Sequence, residues 1–516
     1  MSRMLPYGAE REDAEDAEDA EDAEDAEERE IQDSPNNTKC KSDIPTTIYN
    51  KYDFNLTKKG SNDLLLGEGG YGTVCKIIRK FDRNVCAIKK QNIEDLYHLY
   101  TSLIEIHIMS NLNHDNINRL YNTYYSEDFK FNFLIMEYCD TDLHKFLSLN
   151  KKSSNANISE IIIGLLSGLN YMHDTKGVMH LDLKPQNIGL KINGPNKYTT
   201  KILDFGFSNT IYYKKDDKSH PKELCVNNRE FVVSDRCLNY KVSTTGWRSP
   251  EIIFNNLYSS SADCWACGLI IASILRVFIH IPSSESYFNA NNESTDRRNQ
   301  VIPFFKKLKN PTHEEITAMV GEDAPNNIKF CYNNTTITAD SKYKFDWLPR
   351  PARYPPTFNI YIYGIFEQTI KGMLIYQPTM RTTCKDALQV IKNSFTKILN
   401  TETNVCIMKT CNSALELLNS HNDKEIPDYI SIYDIYQLGT TLNTVNSHVA
   451  PTEKHTTLYS KFVNTANYKL DGFMEISGRN AIRLGGRKHT KRRPKKKSAK
   501  RKRTKRRRAG KSSRAR

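Results

Sequence analysis

The sequence predicts an α+β fold that lies between two oppositely charged tails, and three observations lead to that prediction. Residues 10–30 hold fourteen acidic residues and two arginines. Residues 483–516 hold twenty lysines and arginines and no acidic residue. Between them, residues 52–394 have the composition of a globular protein, with alternating apolar patterns typical of strands and 3.6-residue patterns typical of helices. We therefore expect a folded region of strands and helices with a solvated tail at each end.

The tails are predicted to be disordered because neither can bury a core. Residues 12–27 repeat Glu-Asp-Ala, and acidic side chains at i,i+3 and i,i+4 repel one another. We expect an acidic disordered tail over residues 1–51, including the polar stretch 33–43, and a polybasic disordered tail over 483–516. Residues 399–482 are an extension of unknown role, in which 414–418 could open a short helix.

Composition and cysteine usage exclude several classes of protein. The longest apolar stretch, 269–281, contains Arg276 and His280 and is too short to cross a bilayer. The N-terminus runs directly into acidic residues, so no secretory signal is expected. The twelve cysteines are scattered without a framework of close spacings, as expected for reduced thiols in an intracellular protein. Cys264 and Cys267 have the spacing of a redox or metal pair, but their apolar helical surroundings favour core packing.

A glycine-rich segment follows a first predicted strand at 63–66. Residues 67–74 read Gly-Glu-Gly-Gly-Tyr-Gly-Thr-Val, and glycines let the backbone approach phosphates closely. In a dinucleotide-binding fold the last glycine would open a helix, whereas here the run 73–78 continues as a β-branched strand. The segment therefore predicts a hairpin lid over phosphates. Lys89 ends a further strand, seventeen residues after Gly72, where its charge can meet those phosphates.

Motifs further along the chain resemble those of the eukaryotic protein kinases, in the same order, over residues 52–394. Residues 180–187, His-Leu-Asp-Leu-Lys-Pro-Gln-Asn, resemble the catalytic loop, and residues 204–206, Asp-Phe-Gly, resemble the magnesium-binding motif. Residues 249–251, Ser-Pro-Glu, resemble the end of the activation segment. Structural supports of that family are matched by Asp263, Trp265, Gly268 and Arg381, the last of which would pair with Glu251.

The resemblance implies a bilobal protein kinase fold, with a small β-rich N-lobe and a large helical C-lobe, and a kinase domain at 52–398. It implies ATP and Mg²⁺ as cofactors and proteins as substrates. Lys184, two residues after Asp182, is the pattern of serine/threonine kinases. Asp182 would orient the attacking hydroxyl and accept its proton, Lys184 would lie beside the transferred phosphoryl group, and Asn187 and Asp204 would hold magnesium.

The nucleotide site is predicted by the same resemblance. Lys89 would bind the α and β phosphates, fixed by Glu105, which fits helical apolar spacing better than Glu94. Residues 133–139 read as a strand that enters the hinge, with Met136 as gatekeeper. The other expected nucleotide contacts are the backbone groups of Glu137 and Cys139, the Asp142 side chain at the ribose, and Leu66, Gly67, Glu68, Gly69, Gly70, Tyr71, Gly72, Thr73, Val74 and Ala87.

Two features resemble the cyclin-dependent and MAP kinase (CMGC) branch. Residues 247–251 read Trp-Arg-Ser-Pro-Glu, and in that branch an arginine at the position of Arg248 favours proline after the phosphoacceptor. The long span from Glu251 to Arg381 leaves room for the extra helical insert of that branch. Nothing around Glu105 resembles the helix that binds cyclins, so no cyclin partner is expected.

Two positions depart from the family pattern. Leu181 replaces the arginine that normally receives an activation-loop phosphate, so activity is expected not to depend on that phosphate. Gly189 stands below the adenine, where a larger apolar residue is usual. The pocket floor should therefore be looser, unless a neighbour such as Leu190 fills it.

The polybasic tail leaves several partners open. It could bind nucleic-acid phosphates, act as a nuclear import signal, dock acidic partners, fold back on the acidic tail, or have no specific partner. No aromatic residue interrupts the run, so stacking on bases is not expected. The alternative function is a catalytically silent kinase-fold scaffold that binds nucleic acid through this tail. We expect an intracellular protein without a membrane partner, nuclear or cytoplasmic, with the tail favouring the nucleus.

Overall fold

A computed structural model describes most of residues 35–420. Strands dominate the first part of the described chain and helices the second, which confirms the α+β prediction. Residues 1–34 and 431–516 lie outside the described part of the chain. The predictions on the acidic repeat and the polybasic tail fall in these two ranges. The described residues are 35–54, 64–69, 72–93, 96–149, 155–194, 197–210, 232–233, 243–255, 257–278, 297–309, 311–320, 342–348, 360–420 and 430.

The N-lobe is built on a six-stranded antiparallel sheet with the order β1-β3-β4-β6-β5, in which β2 pairs with β3. β4 lies between β3 and β6 and is buried over most of its length, as its apolar run requires. Helix α3, Leu96–Met109, follows β4. The strands are β1 Tyr52–Asp53, β2 Leu65–Gly69, β3 Gly72–Arg79, β4 Val85–Asn92, β5 Leu120–Tyr125 and β6 Phe131–Glu137.

Two short helices precede the sheet, and they correct the prediction of disorder through 33–43 and of a tail that ends at 51. α1 spans Pro35–Lys41 and α2 spans Thr46–Tyr49. Cys40 and Ile48 are buried in the same core cluster as strands β3, β4 and β6. The sequence of this stretch is polar on average, but its few apolar side chains fall where they can cover the sheet.

A disulfide joins Cys40 of α1 to Cys75 of β3, with their Cα atoms 5.9 Å apart. The expectation that all cysteines are reduced is therefore wrong for this pair. The two residues are 35 positions apart and no close spacing marks them, so only the fold brings their side chains together. The bond fixes α1 to the strand that follows the glycine-rich turn.

The C-lobe is largely helical and is organised around α7, Ser260–Phe278, whose side chains are buried on nearly every side. A methyl group on Gly268 would lie 2.9 Å from Met373 Cβ, so α7 and α10 approach closely at this glycine. Cys264 and Cys267 are buried in α7, as predicted. The other C-lobe helices are α4 Leu143–Ser148, α5 Asn155–Asn170, α6 Pro250–Asn255, α8 Arg297–Lys307, α9 His313–Val320, α10 Ile360–Met373, α11 Cys384–Thr401 and α12 Val405–Ser420.

The described chain also contains short strands and single turns after the N-lobe sheet. A three-stranded sheet has the order β10-β9-β7, and β8 pairs with β11. A π-helical turn, Tyr171–Thr175, precedes β8, and 3-10 turns occupy Pro185–Asn187 and Pro378–Met380. These strands are β7 Thr141–Asp142, β8 Val178–Met179, β9 Ile188–Gly194, β10 Lys197–Ile202, β11 Asn209–Thr210, β12 Val232–Val233 and β13 Leu257–Tyr258.

The predicted domain boundary at 398 falls inside α11, which continues to Thr401. α12 follows and packs against α11 and α5. Its buried residues Cys411, Ala414 and Leu418 lie at helical spacing. The short helix predicted at 414–418 is thus the second half of a longer helix, and the C-lobe extends to residue 420. Among the described residues, no helix combines the length and apolar character needed to span a bilayer.

Candidate active site

The catalytic-loop motif is held by a single buried carboxylate on α7. Asp263 Oδ2 accepts the backbone N–H of His180 at 2.7 Å, and its Oδ1 accepts the N–H of Leu181 at 2.8 Å. Leu181 adopts a left-handed backbone conformation with a φ of 65°. Such strained positions persist where surrounding contacts define them, and they are frequent at functional sites. The two bonds therefore fix the loop one residue before Asp182.

The Asp182 carboxylate is oriented by three side chains. Thr244 Oγ1 donates to its Oδ1 at 2.7 Å, and Lys184 Nζ donates to its Oδ2 at 2.8 Å. Lys184 Nζ also donates to Thr244 Oγ1 at 2.9 Å. Asn187 Nδ2 donates to the Asp182 backbone carbonyl at 2.8 Å, which leaves the Asn187 side-chain oxygen as the atom that a cation can use. The loop therefore combines a fixed base, a cation and an oxygen ligand.

A buried charge network joins the N-lobe to the Asp-Phe-Gly motif. Lys89 Nζ lies 2.8 Å from Glu105 Oε1 and 2.8 Å from Asp204 Oδ1. Gln91 Nε2 donates to the other Glu105 oxygen at 2.7 Å. Lys89 sits on β4 and Glu105 on α3, so the predicted pair is formed, and Glu94 lies outside the described residues.

Burial acts on the ionisation of all three groups in this network. Burial alone would lower the pKa of Lys89, but the Asp204 and Glu105 carboxylates outweigh it and hold that pKa above its usual value. Burial raises the pKa of Glu105. For Asp204 burial is opposed by the nearby Lys89, which leaves the pKa of the carboxyl below its usual value. Asp204 is therefore a carboxylate suited to a metal ion.

Asp204 also takes an uncommon backbone conformation, with a φ of 62°. The next residue, Phe205, is fully buried, and its ring centroid lies 5.4 Å from that of His180. His180 Nε2 contacts the Leu203 carbonyl at 2.8 Å. The aromatic side chain thus anchors the motif in the core, while the carboxylate of Asp204 turns toward Lys89.

The glycine-rich turn shows two kinds of glycine. A Cβ on Gly67 or on Gly69 would have no atom within 4 Å, so packing does not require glycine at either position. Gly72 has a φ of 129°, and a Cβ there would lie 2.0 Å from the Lys90 carbonyl oxygen. Of these three glycines, Gly72 is the one that the strand pairing requires. Gly70 and Tyr71 lie outside the described residues.

The hinge is fixed by side chains that sequence reasoning did not assign to it. Glu137 Oε1 and Oε2 lie 2.7 Å from Lys191 Nζ and 2.8 Å from Lys201 Nζ. Burial would raise the pKa of Glu137, but the two lysines hold it below its usual value. The Glu137 carbonyl, predicted to meet adenine, accepts a hydrogen bond from Asn118 Nδ2 at 2.9 Å. Its second lone pair is the one that an adenine amino group would use.

Three of the remaining predicted nucleotide contacts lie on neighbouring strands of the N-lobe sheet. Leu66 and Val74 are half-buried and Ala87 is buried, on the adjoining strands β2, β3 and β4. Asp142 caps α4, because its Oδ1 accepts the Lys145 backbone N–H at 2.8 Å. Its contact with the ribose stays a prediction.

The pocket floor differs from the looser one that Gly189 predicts. A Cβ on Gly189 would lie 2.7 Å from Cys139 Sγ and 3.1 Å from Leu203 Cδ1, so these side chains occupy the space that a larger residue would fill. Burial, together with the charge of Glu137, raises the pKa of the Cys139 thiol to about 12. The small residue on β9 is therefore compensated by a hinge cysteine.

Leu181, which replaces the usual arginine, is part of an apolar cluster. It is buried together with Met179, Ile252 and Ala262, and Phe207 packs against them. The catalytic loop is thereby joined to α6 and α7 by apolar contact at the position where a phosphate-binding arginine would stand.

Thr244 and Gln91 are further site residues that sequence reasoning missed, beside the hinge lysines Lys191 and Lys201. Thr244 lies 62 positions from Asp182, and Gln91 lies 14 positions from Glu105. Thr and Gln are common residues, and neither position belongs to one of the motifs quoted above. Gln91 could have been noticed, because it lies two residues after Lys89 and therefore on the same side of its strand.

Comparison with known proteins agrees with this geometry. The chain matches the family model of the protein kinase domain over residues 61–391. It is 30% identical to a probable serine/threonine-protein kinase of Dictyostelium discoideum, over 56% of this chain and 40% of that protein. It is 24% identical to mitogen-activated protein kinase 15 of Xenopus laevis, over 63% of this chain and 48% of that protein. The chain thus covers less than half the length of both relatives. With the domain matched over most of the folded region, and with its charged positions joined in one site, the chain belongs to the protein kinase family.

Proposed function

We propose that this chain is an active serine/threonine protein kinase that uses ATP and Mg²⁺. The observation that carries the proposal is the closed network of Lys89, Glu105 and Asp204 beside an oriented Asp182. A catalytically silent scaffold would have no need to keep all of these charged groups in register. The relatives named as a serine/threonine kinase and a MAP kinase support the same reaction.

The residues present fit magnesium, because Asp204 and Asn187 offer the hard oxygen donors that this ion prefers. Bound there, the ion would neutralise charge on the phosphates. Lys89 would bind the α and β phosphates, and Asp182 would orient the substrate hydroxyl and accept its proton. Lys184, held between Asp182 and Thr244, would stabilise the phosphoryl group during transfer.

We further propose that the enzyme prefers proline after the phosphoacceptor. Arg248 Nε donates to the Ser243 carbonyl at 2.8 Å, and Ser243 adopts a left-handed conformation with a φ of 71°. Ser243 directly precedes Thr244, which contacts Asp182, so this carbonyl lies next to the reaction site. Because Arg248 donates to this carbonyl, a substrate N–H there would compete with the guanidinium for the same acceptor. Proline has no N–H and loses nothing.

The test is transfer of labelled phosphate from Mg-ATP to matched Ser-Pro and Ser-Ala peptides, with Asp182→Asn beside the wild type. We expect transfer by the wild type, a loss of about 10²-fold or more in Asp182→Asn, since general-base removal costs that much, and retained nucleotide binding in both. Arg248→Ala should reduce the ratio of Ser-Pro to Ser-Ala phosphorylation and leave nucleotide affinity unchanged. Wild-type protein that binds nucleotide but transfers no phosphate to either peptide would favour the scaffold.

A further inference from the structure

A second cluster of chemically reactive side chains lies inside the C-lobe, on elements that the phosphoryl-transfer site does not use directly. His173 belongs to the π-helical turn, Cys264 and Cys267 to α7, and Cys384 to the first turn of α11. All four side chains are buried. One ligand atom each of His173, Cys264 and Cys384 lies within 4.8 Å of the other two. Three segments distant in sequence thus bring soft ligands to one point.

The distances fit a tetrahedral ion. Cys264 Sγ and Cys384 Sγ are 3.9 Å apart. Two thiolates bound to zinc at about 2.3 Å and at the tetrahedral angle have their sulfur atoms roughly 3.8 Å apart. Cys267 also interacts with Cys384 and lies one helical turn after Cys264, which makes it the candidate for a fourth ligand.

One ring nitrogen of the histidine is held by a carboxylate. Its Nε2 lies 2.9 Å from Asp263 Oδ2, so the carboxylate holds the N–H of this nitrogen and leaves Nδ1 for a metal. The Cys264 thiol contacts the same ring. A histidine whose second nitrogen is bonded to a carboxylate is the usual arrangement around protein-bound zinc.

We propose that His173, Cys264 and Cys384 bind one zinc ion, with Cys267 as the fourth ligand and Asp263 as the carboxylate that positions His173. Three thiolates and an imidazole select a borderline-soft metal such as zinc over magnesium or calcium. Binding would release the thiol protons, and any proton on Nδ1, to solvent, with no change of oxidation state. Four protein ligands leave no open position, so the site would be structural.

The proposed zinc site would connect three parts of the C-lobe. Asp263 also accepts the backbone N–H groups of His180 and Leu181. An ion bound to His173 would therefore fix the turn before β8, the start of α11 and the carboxylate that holds the catalytic loop. The proposal is independent of whether the chain transfers phosphate.

The test is the metal content of the full-length chain, expressed with zinc and purified without chelator, beside Cys264→Ser, Cys384→Ser and the control Cys411→Ser. Cys411 is a buried cysteine of α12 that belongs to no such cluster among the described residues. We expect one zinc per chain in the wild type and the control, and at least a tenfold lower content in the other two. Replacement by cobalt should give thiolate-to-metal charge-transfer absorption in the wild type.

Stability gives a second measurement that does not depend on phosphate transfer. A zinc chelator should lower the Tm of the wild type and of Cys411→Ser, and should leave Cys384→Ser unchanged, because only the folded zinc site binds the ion. Wild-type protein without zinc that also shows no cobalt–thiolate absorption would overturn the proposal. So would a Cys264–Cys384 disulfide found by mass spectrometry of the unreduced chain.

Discussion

Gly72 is the residue whose replacement the structure forbids most directly. With a φ of 129° and a Lys90 carbonyl oxygen 2.0 Å from any Cβ, Gly72→Ala must separate β3 from β4 or strain the backbone. We expect a loss of about 1–3 kcal/mol in the free energy of unfolding and weaker nucleotide binding. Gly69→Ala is the matched control for stability, since its Cβ would meet nothing within 4 Å. Thermal melts of the two variants measure the difference, and equal melting temperatures would contradict it.

Because Leu181 stands where the phosphate-binding arginine is usual, we expect kinase activity to be independent of activation-loop phosphorylation. Phosphatase treatment should leave peptide phosphorylation unchanged, because the apolar cluster of Leu181, Met179, Ile252 and Ala262 takes the place of a phosphate-binding arginine. Leu181→Arg should destabilise the fold by about 3–5 kcal/mol, since it buries an unpaired charge. Leu149→Arg is the control, because Leu149 is 61% exposed. Activity that disappears with phosphatase would refute the first expectation.

We expect the thiol of Cys139, in the hinge, to be unreactive. The thiolate is the nucleophile, and burial raises the pKa of this thiol to about 12, so at pH 7 almost all of it is protonated. N-ethylmaleimide should modify exposed Cys406 and leave Cys139 unmodified at both pH 7 and pH 9. Peptide mapping after labelling at pH 7 and pH 9 measures both residues in one sample. Preferential modification of Cys139 at pH 7 would show that the hinge opens.

At the scale of secondary-structure elements, α1 and α2 belong to the N-lobe. Ile48 and Cys40 are buried in its core, and the Leu64 N–H donates to Asn37 Oδ1 at 2.9 Å. Deletion of residues 2–50 should lower the Tm by several degrees, since burying each such side chain contributes about 1.5–3 kcal/mol. Deletion of residues 2–33 removes only the acidic segment and should leave the Tm unchanged. Equal melting temperatures for the two deletions would show that the helices are dispensable.

These elements also show what sequence could and could not predict. The catalytic loop is contiguous, so the spacing of Asp182, Lys184 and Asn187 was visible directly. Glu105 was identified because the family resemblance implies a carboxylate on the helix after Lys89, and Glu105 has apolar neighbours at helical spacing. The Cys40–Cys75 bond and the contact of Thr244 with Asp182 join residues far apart in sequence, and no local pattern specifies such pairs. The polar composition of 33–43 concealed α1, because tertiary burial of a few side chains overrode it.

At the scale of the whole molecule, the final prediction concerns the charge at the two ends of the chain. Residues 483–516 carry twenty basic side chains and no acid, which suits them to nucleic-acid phosphates. Deleting them should abolish retention of a mixed-sequence RNA or DNA and leave the phosphorylation of short peptides unchanged. Retention by the full chain should fall steeply with salt, by about 10³–10⁵ between 50 and 200 mM if six to ten phosphates are contacted.

Deletion of residues 2–33 tests whether the acidic tail binds the basic tail. Residues 10–30 carry fourteen acids against two arginines, so they can compete with nucleic acid for the basic tail. If they do, the deletion should raise nucleic-acid affinity at low salt, and the gain should vanish at high salt because the competition is electrostatic. Unchanged affinity would show that the acidic repeat does not compete for the tail. Nucleic-acid affinity that survives deletion of 483–516 would place the binding surface on the kinase domain instead.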